Sequence, residues 1–355
     1  MAVSTKAWSP KEFSVAIAEE TTVGSVDANW KMIEADGMPS LFTYGDIKST
    51  EQRQNSSYRA VTSGDIQSVA NNATSEASVS GFLDTAIFPY LLENAMGVEF
   101  ASGKAIVGYQ HNPVSFAHGA GTSGAHNTVA LGVQGAQTQS IGDTSYVLNG
   151  CVCQSLTISG NSNEDGGRLK FDASFITRTP PGATLEDDNS GHFGGTPTDY
   201  TEAYLYMSNF TEIGRFFGKD SLISAFSLTI SNPVAFLGNI GGASGTPESY
   251  IRSIPALEVT GSCTLKYDEH NEDLASAHKA LTLSGTESGF YLGSDSAVTA
   301  GSNTTIQADS TGLGFLCNHI IITDLSLEEG DYAQWNASFK SVQAASNALL
   351  QVLQG

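Results

Sequence analysis

Positive charge is scarce in this chain of 355 residues: 16 lysines and arginines stand against 37 aspartates and glutamates, for a formal net charge of −21. The cations are scattered from Lys6 to Lys340, which excludes the grouped phosphate contacts that tight nucleic-acid binding requires. An acidic surface instead repels a duplex and keeps the protein soluble. Charge of either sign is thin, at 15%, so exposed faces must be built from Ser, Thr, Asn and Gly, a balance that suits strands and loops better than helical bundles. Cysteine is limited to Cys151, Cys153, Cys263 and Cys317. That is no disulfide framework for a chain this long, and nothing before Trp8 reads as a secretory signal. Cys151 and Cys153 stand two apart on a strand, share a face and cannot readily bond to one another, so reduced thiols made in a cytoplasm are expected. No apolar run reaches the length of a membrane span.

Catalytic signatures are equally sparse. There is no Walker loop, dinucleotide fingerprint, nucleophile elbow or HExxH helix, and Gly121-Thr-Ser-Gly-Ala125 lacks both the spacing and the strand–helix context of a nucleophilic serine. Glycoside hydrolysis needs two carboxylates facing each other across a substrate, which adjacent acids such as Glu164-Asp165 and Glu328-Glu329 at hairpin turns do not supply. His111, His118 and His126 have no i,i+4 helical pairing and no ligand at metal spacing. Asp187, Asp188, Asn189 and Asp199 lack the spacing of a calcium loop. Neither an enzyme nor a metal or other cofactor is expected.

What the chain does have is a repeat. GCVCQSLTISGNSNEDGGRLKFDASFIT, from Gly150 to Thr177, returns without a gap as GFLCNHIIITDLSLEEGDYAQWNASFKS, from Gly314 to Ser341. Each copy alternates, breaks at an acidic glycine-containing turn and resumes alternating, as a β-hairpin does. A strand-like echo precedes each hairpin, Ala77-Ser-Val-Ser-Gly81 and Leu257-Glu-Val-Thr-Gly261, and a helical stretch follows each echo. In the first stretch Asp84 is the expected cap, Ile87, Leu91, Leu92, Ala95 and Met96 form the apolar face, and Pro89 must sit in the first turn. In the second, Asn271 is the expected cap and Leu274, Ala277, His278 and Leu281 share a face. A repeat this long is a duplicated domain rather than a solenoid unit. The expected organisation is a first module over 1–180 with an insertion at 101–147, a Pro/Gly/acid-rich linker over 181–220, and a second module over 221–355. Lys48, Arg53 and Arg59, around Asn55 and Tyr58, mark either a solvated loop or a hairpin tip that docks on an acidic neighbour. The apolar tail from Val342 to Leu353 is expected to dock.

The VSG strand with its LLENAMG helix at 91–97, the SLTIS and GGRLKFDASF strands between 155 and 175, and the VTG, HNEDL, IIIT and AQWNASF runs of the second half resemble those of bacteriophage tail tube proteins, also called major tail proteins. The resemblance implies a mainly β fold: two tandem tube-like β-sandwich or barrel modules, each flanked by a short α-helix and carrying loop insertions. It implies a structural virion protein made in the host cytoplasm, whose rings of three or six copies stack around a tape measure protein, meet tail terminator and baseplate proteins, and later pass DNA without binding it or any membrane. On that reading Asp65, Glu76 and Asp172 are candidate lumen acids, Arg53, Asn55, Tyr58 and Arg59 candidate contacts between rings, and Leu349, Leu350, Val352 and Leu353 candidate contacts between subunits. A baseplate hub or capsid decoration protein would share the composition, and a carbohydrate-binding β protein would need an export signal.

Overall fold

The computed structural model describes residues 13–22, 25–26, 30–37, 40–44, 47–51, 66–70, 75–96, 106–107, 129–135, 143–177, 182–186, 203–211, 214–236, 250–252, 257–276, 289–294, 313–330, 332–342 and 349–354. In chain order the first half contributes β1 (Phe13–Thr22), β2 (Ser25–Val26), β3 (Lys31–Ile33), β4 (Ser40–Tyr44), β5 (Ile47–Glu51), β6 (Ile66–Ala70), β7 (Ser75–Phe82), helix α1 (Phe88–Met96), β8 (Ile106–Val107), β9 (Val129–Gly135), β10 (Asp143–Asn161), β11 (Lys170–Thr177) and β12 (Gly182–Glu186). The second contributes β13 (Gly214–Phe216), β14 (Lys219–Ser221), β15 (Ile223–Ser231), β16 (Val234–Phe236), β17 (Tyr250–Arg252), β18 (Glu258–Lys266), β19 (Phe290–Gly293), β20 (Leu313–Cys317), β21 (Ile320–Glu329), β22 (Ala333–Ser341) and β23 (Gln351–Gln354). The fold is mainly β, as the alternating sequence predicts.

Three sheets carry the architecture. A long antiparallel sheet runs β4-β7-β11-β10-β15-β18-β22-β21, four strands from each half. A first cover sheet runs β3-β1-β9-β10-β12, using the opening part of β10, whose closing part belongs to the long sheet. A second cover sheet runs β14-β13-β19-β20-β23-β8. Alternation decides which face of the long sheet meets the covers: in SEASVSGF, Ala77 and Val79 are buried while Glu76 and Ser78 are exposed. The apolar faces close on one core in which Phe315 of β20 meets the rings of Phe88, Phe210 and Phe226 from both halves.

Helix α1 buries Phe88, Leu91, Leu92, Ala95 and Met96 on the single face their spacing dictates. Asp84 holds its start, its carboxylate accepting from Ala86 N at 2.7 Å and Ile87 N at 2.8 Å, and Pro89 lies in the first turn, where its missing N–H costs nothing. Gly97 lies outside the described residues. In the second half the cap differs from the expected one. Asp268 accepts from His270 N, whereas Asn271 is buried, accepts from Asp268 N and donates to Lys266 O and Ser221 Oγ. Buried amides are costly unless bonded, and tying three neighbours together satisfies Asn271 better than capping would.

The hairpin tip at Glu164-Asp165-Gly166-Gly167 needs its glycines: Asp165, Gly166 and Gly167 have φ of 50°, 67° and 76° in succession. Both repeat copies are hairpins, but their correspondence is not gapless. Ala173-Ser174-Phe175 and Ala337-Ser338-Phe339 each face the bulge of their hairpin, which makes Cys153 the counterpart of Ile322 rather than of Cys317. By the same anchor Ala77–Gly81, opposite Phe175–Phe171, answers to Gly261–Leu265, opposite Phe339–Trp335, and not to Leu257–Gly261. Strand register follows the bulge and the backbone ladder, so a shorter second hairpin tip displaces one strand while the return strand keeps its sequence.

Candidate assembly surface

The face of the long sheet turned away from the covers is mainly polar, with Phe82 near one edge and the exposed Ile321 at the other. One row across it reads Ser80, Asp172, Thr157, Thr229, Thr260, Lys340, Ile321, and the next reads Phe82, Lys170, Ser159, Ser227, Ser262, Ser338, Asp324. Hydroxyls meet across strands, Thr157 with Thr229 at 2.9 Å, and Thr264 donates to Asn336 at 3.0 Å. The surface forms a concavity of about 490 Å³ lined by Ser159, Asn161, Ser227, Thr264, Asn336 and Asp324 among others. Such pairs of short hydroxyls satisfy each other and leave a wet face without mobile charged arms.

Its charge is sparse and mostly negative. Glu76 and Asp172, expected from the sequence, lie on this one face, whereas Asp65 falls outside the described residues. Sequence reasoning missed Glu258, Asp324 and Glu328, which the register adds to it. Glu328 reads as a turn residue in the sequence because its place in β21 depends on the displaced register. Two of the three lysines on the face are restrained, Lys340 Nζ lying 2.6 Å from Glu258 and Lys170 Nζ 2.6 Å from Asp165, whose hydrogen bond raises the Lys170 pKa, while Lys266 is exposed beside Gln334. These exposed pairs add little stability, but each occupies a cation that could otherwise contact a polyanion.

The junction between the halves lies mid-sheet. Strand β10 pairs with β15 from Ser155↔Ser231 to Asn161↔Ala225. Asn232 N donates to Gln154 O at 2.7 Å, and Asn232 Nδ2 donates to Ala95 O at 3.0 Å, so the second half caps the first half's helix. Buried Asn94 of α1 accepts from Cys153 N and donates to Cys151 O where β10 bulges. Buried Glu20 accepts from Gly150 N at 2.8 Å beside the same bulge. Among the described residues, β4 and β21 each pair on one side only, leaving two open edges.

The expected contact residues fare differently. Arg53, Asn55, Tyr58 and Arg59 lie outside the described residues, as do the three histidines of the insertion. The tail docks on its own chain, β23 between β20 and β8, with Leu350 and Val352 buried and Leu349 half-buried; Leu353 pairs with Gly314 in the strand register. All four cysteines are buried free thiols, and burial pushes Cys153 and Cys317 up to about 12 and raises Cys151 and Cys263 as well. Among the described residues no cluster of His, Cys, Asp and Glu could hold a metal, and no helix is long and apolar enough to cross a membrane.

Comparison with known families returned one match of direct bearing: a family described as phage tail tube protein, over residues 13–314. No curated protein matches the chain significantly.

Proposed function

The chain belongs to the phage tail tube protein family and is a structural component of the virion tail, and from that premise we propose that its copies join edge to edge into a ring whose inner wall is the polar face of the long sheet. The observation that carries this reading is the β10·β15 junction. The strand order β4-β7-β11-β10 repeats as β15-β18-β22-β21, so β15 is the counterpart of β4 and β10 that of β21. The two open edges are therefore counterparts of two strands that already pair within the chain. A second copy placed by the same rule sets its β4 against β21. Open edges are an aggregation hazard in a monomer, and a closed ring removes both of them. Since each half supplies four adjacent strands to one sheet, three copies supply six equivalent units, a trimer with pseudo-sixfold symmetry. That favours three copies over a six-copy ring in which the second half is an added outer domain.

Stacked rings then make a hollow tail tube around a tape measure protein, closed by tail terminator and baseplate proteins, with assembly in the host cytoplasm. Glu76 and Asp172, with Glu258, Asp324 and Glu328, face the lumen on this reading. Hydroxyl rows with most of their lysines ion-paired offer passing DNA few phosphate contacts, and few contacts mean little to release at each step. The burial of Leu350 and Val352 moves the contact between subunits from the tail to the sheet edges. Arg53 to Arg59 stays the candidate for contact between rings.

Negative-stain electron microscopy of the purified protein, with light scattering to follow growth, tests the reading. The expected result is hollow tubes with a regular axial repeat and threefold end-on views. A monodisperse monomer at high concentration overturns it in favour of a hub or decoration role.

A further inference from the structure

The two halves differ at one end of the long sheet. In the first half, residues 203–210 lie over the hairpin tip: Leu205 N donates to Leu83 O, Leu169 N donates to Leu205 O, Thr85 N donates to Ala203 O, and Tyr204 Oη donates to the Glu34 carboxylate. Leu83, Ile158 and Phe171 are buried beneath them, and Arg168 stacks on Phe82 and Tyr204. The second half repeats the framework below this cover. Leu83 N→Leu169 O at 2.8 Å recurs as Tyr267 N→Ala333 O at 3.0 Å, and Phe82 N→Glu34 O at 3.2 Å as Lys266 N→Leu222 O at 3.0 Å. Tyr267, Leu327 and Trp335 thus stand where Leu83, Ile158 and Phe171 stand.

Among the described residues no segment is hydrogen-bonded over Tyr267 and Leu327 as 203–210 is over the first tip. Leu327 is 53% exposed, Leu222 51%, Tyr332 42% and Tyr267 37%. They are neighbours: the Tyr267 and Trp335 rings are 5.8 Å apart, Leu327 is opposite Trp335, and Tyr332 adjoins Ala333. Trp335 is buried, yet its indole Nε1 has no hydrogen-bond partner. An exposed apolar patch of this kind calls for a segment with a side chain to bury.

Chain order identifies the segment. Residues 203–211 lead into β13, which lies between β14 and β19 as β1 lies between β3 and β9. The counterpart of 203–211 is therefore the stretch that leads into β1, residues 1–12, MAVSTKAWSPKE. Within the chain, the leading segment of the second half reaches back onto the tip of the first. We propose that residues 1–12 of one copy cover the Leu222, Tyr267, Leu327, Tyr332 and Trp335 patch of the preceding copy, with Trp8 as the buried side chain. Lys6 and Lys11 of the segment suit Glu329, which shares the face of Leu327. This inference rests on the ring reading, because the acceptor is the neighbour in the ring.

Two chains, each with one added cysteine, test it: one carries Ala7→Cys, the other Tyr332→Cys, and one bears a tag that separates them by mass. The four native thiols are buried and stay out of the reaction. Mild oxidation of the mixture, once assembled, is expected to give a disulfide-linked heterodimer, and removal of residues 2–9 to raise the concentration needed for tube growth by on the order of tenfold. Tubes that grow at unchanged concentration without the segment and give no heterodimer overturn the arm and leave the ring standing. A chain bearing both cysteines that closes on itself, while the mixture gives no heterodimer, also overturns it. Failure of the unaltered chain to form rings overturns both readings.

Discussion

At one end of the long sheet Leu83, Ile158 and Phe171 lie under residues 203–210; at the matching end of the second half Tyr267 and Leu327 lie open. The strands beneath are the same in order and share two equivalent backbone hydrogen bonds. The duplication thus preserves what the ladder and the core require, and the tips diverge where only a neighbouring segment decides the environment. In a repeated architecture each unit relies on its successor for cover, and here the first half has a successor in its own chain.

Four tests break or sharpen this comparison. The largest effects belong to the matched pair Phe175 and Phe339, both buried at the bulge of their hairpins. Each change to Ala is expected to cost about 3–5 kcal/mol in urea unfolding. Phe339→Ala should cost the more by about 0.5–1.5 kcal/mol, because its ring stacks on Phe290 at 5.0 Å and meets Phe216 edge-on; equal losses would show that these ring contacts add nothing beyond burial. Next is Asn94→Leu, which strands the Cys153 N–H and Cys151 carbonyl at the bulge. A loss of about 1–3 kcal/mol is expected, with faster amide exchange at Cys153; unchanged exchange would mean the bulge holds without the side chain.

The caps come third. Asp84 accepts two backbone N–H groups and Asp268 one, so Asp84→Ala should cost about 1 kcal/mol and Asp268→Ala less. The reverse order in thermal melts would contradict the matched-cap assignment. Smallest is the hydroxyl pair at the junction: a double-mutant cycle of Thr157→Val and Thr229→Val should give a coupling of about 0.2–1 kcal/mol. No coupling would mean that the 2.9 Å contact is incidental to joining the halves.

Much of this fold is legible in the residues. The alternation of SEASVSGF and AQWNASFKS declares one wet and one buried face, and the spacing of Phe88, Leu91, Leu92 and Ala95 declares the helix. The polar wall is legible as a type of surface, and Glu76 and Asp172 as members of it. Glu258, Asp324 and Glu328 were not legible, because a bulge shifts the register without a sequence mark of its own. Asn271 looks like a cap because Asn caps helices in general; that it instead ties Asp268, Lys266 and Ser221 together depends on strands distant in sequence. The tail's apolarity announces docking but not where, and β20 and β8 are the answer.

Strand β10 runs from Asp143 to Asn161 as one chain segment, out of one sheet and into another, turning at the bulges around Gly150 and Cys153. The second half covers the same path in two pieces, β20 ending at Cys317 and β21 starting at Ile320. In mechanical terms one half is a lever and the other a jointed arm. A force on the first cover sheet is delivered along a single backbone to the long sheet, whereas one on the second crosses the link of buried Asn318 and half-buried His319, where the His319 carbonyl accepts from Val342 N and Ser341 Oγ. If the chains assemble as proposed, the two kinds of link alternate around the wall.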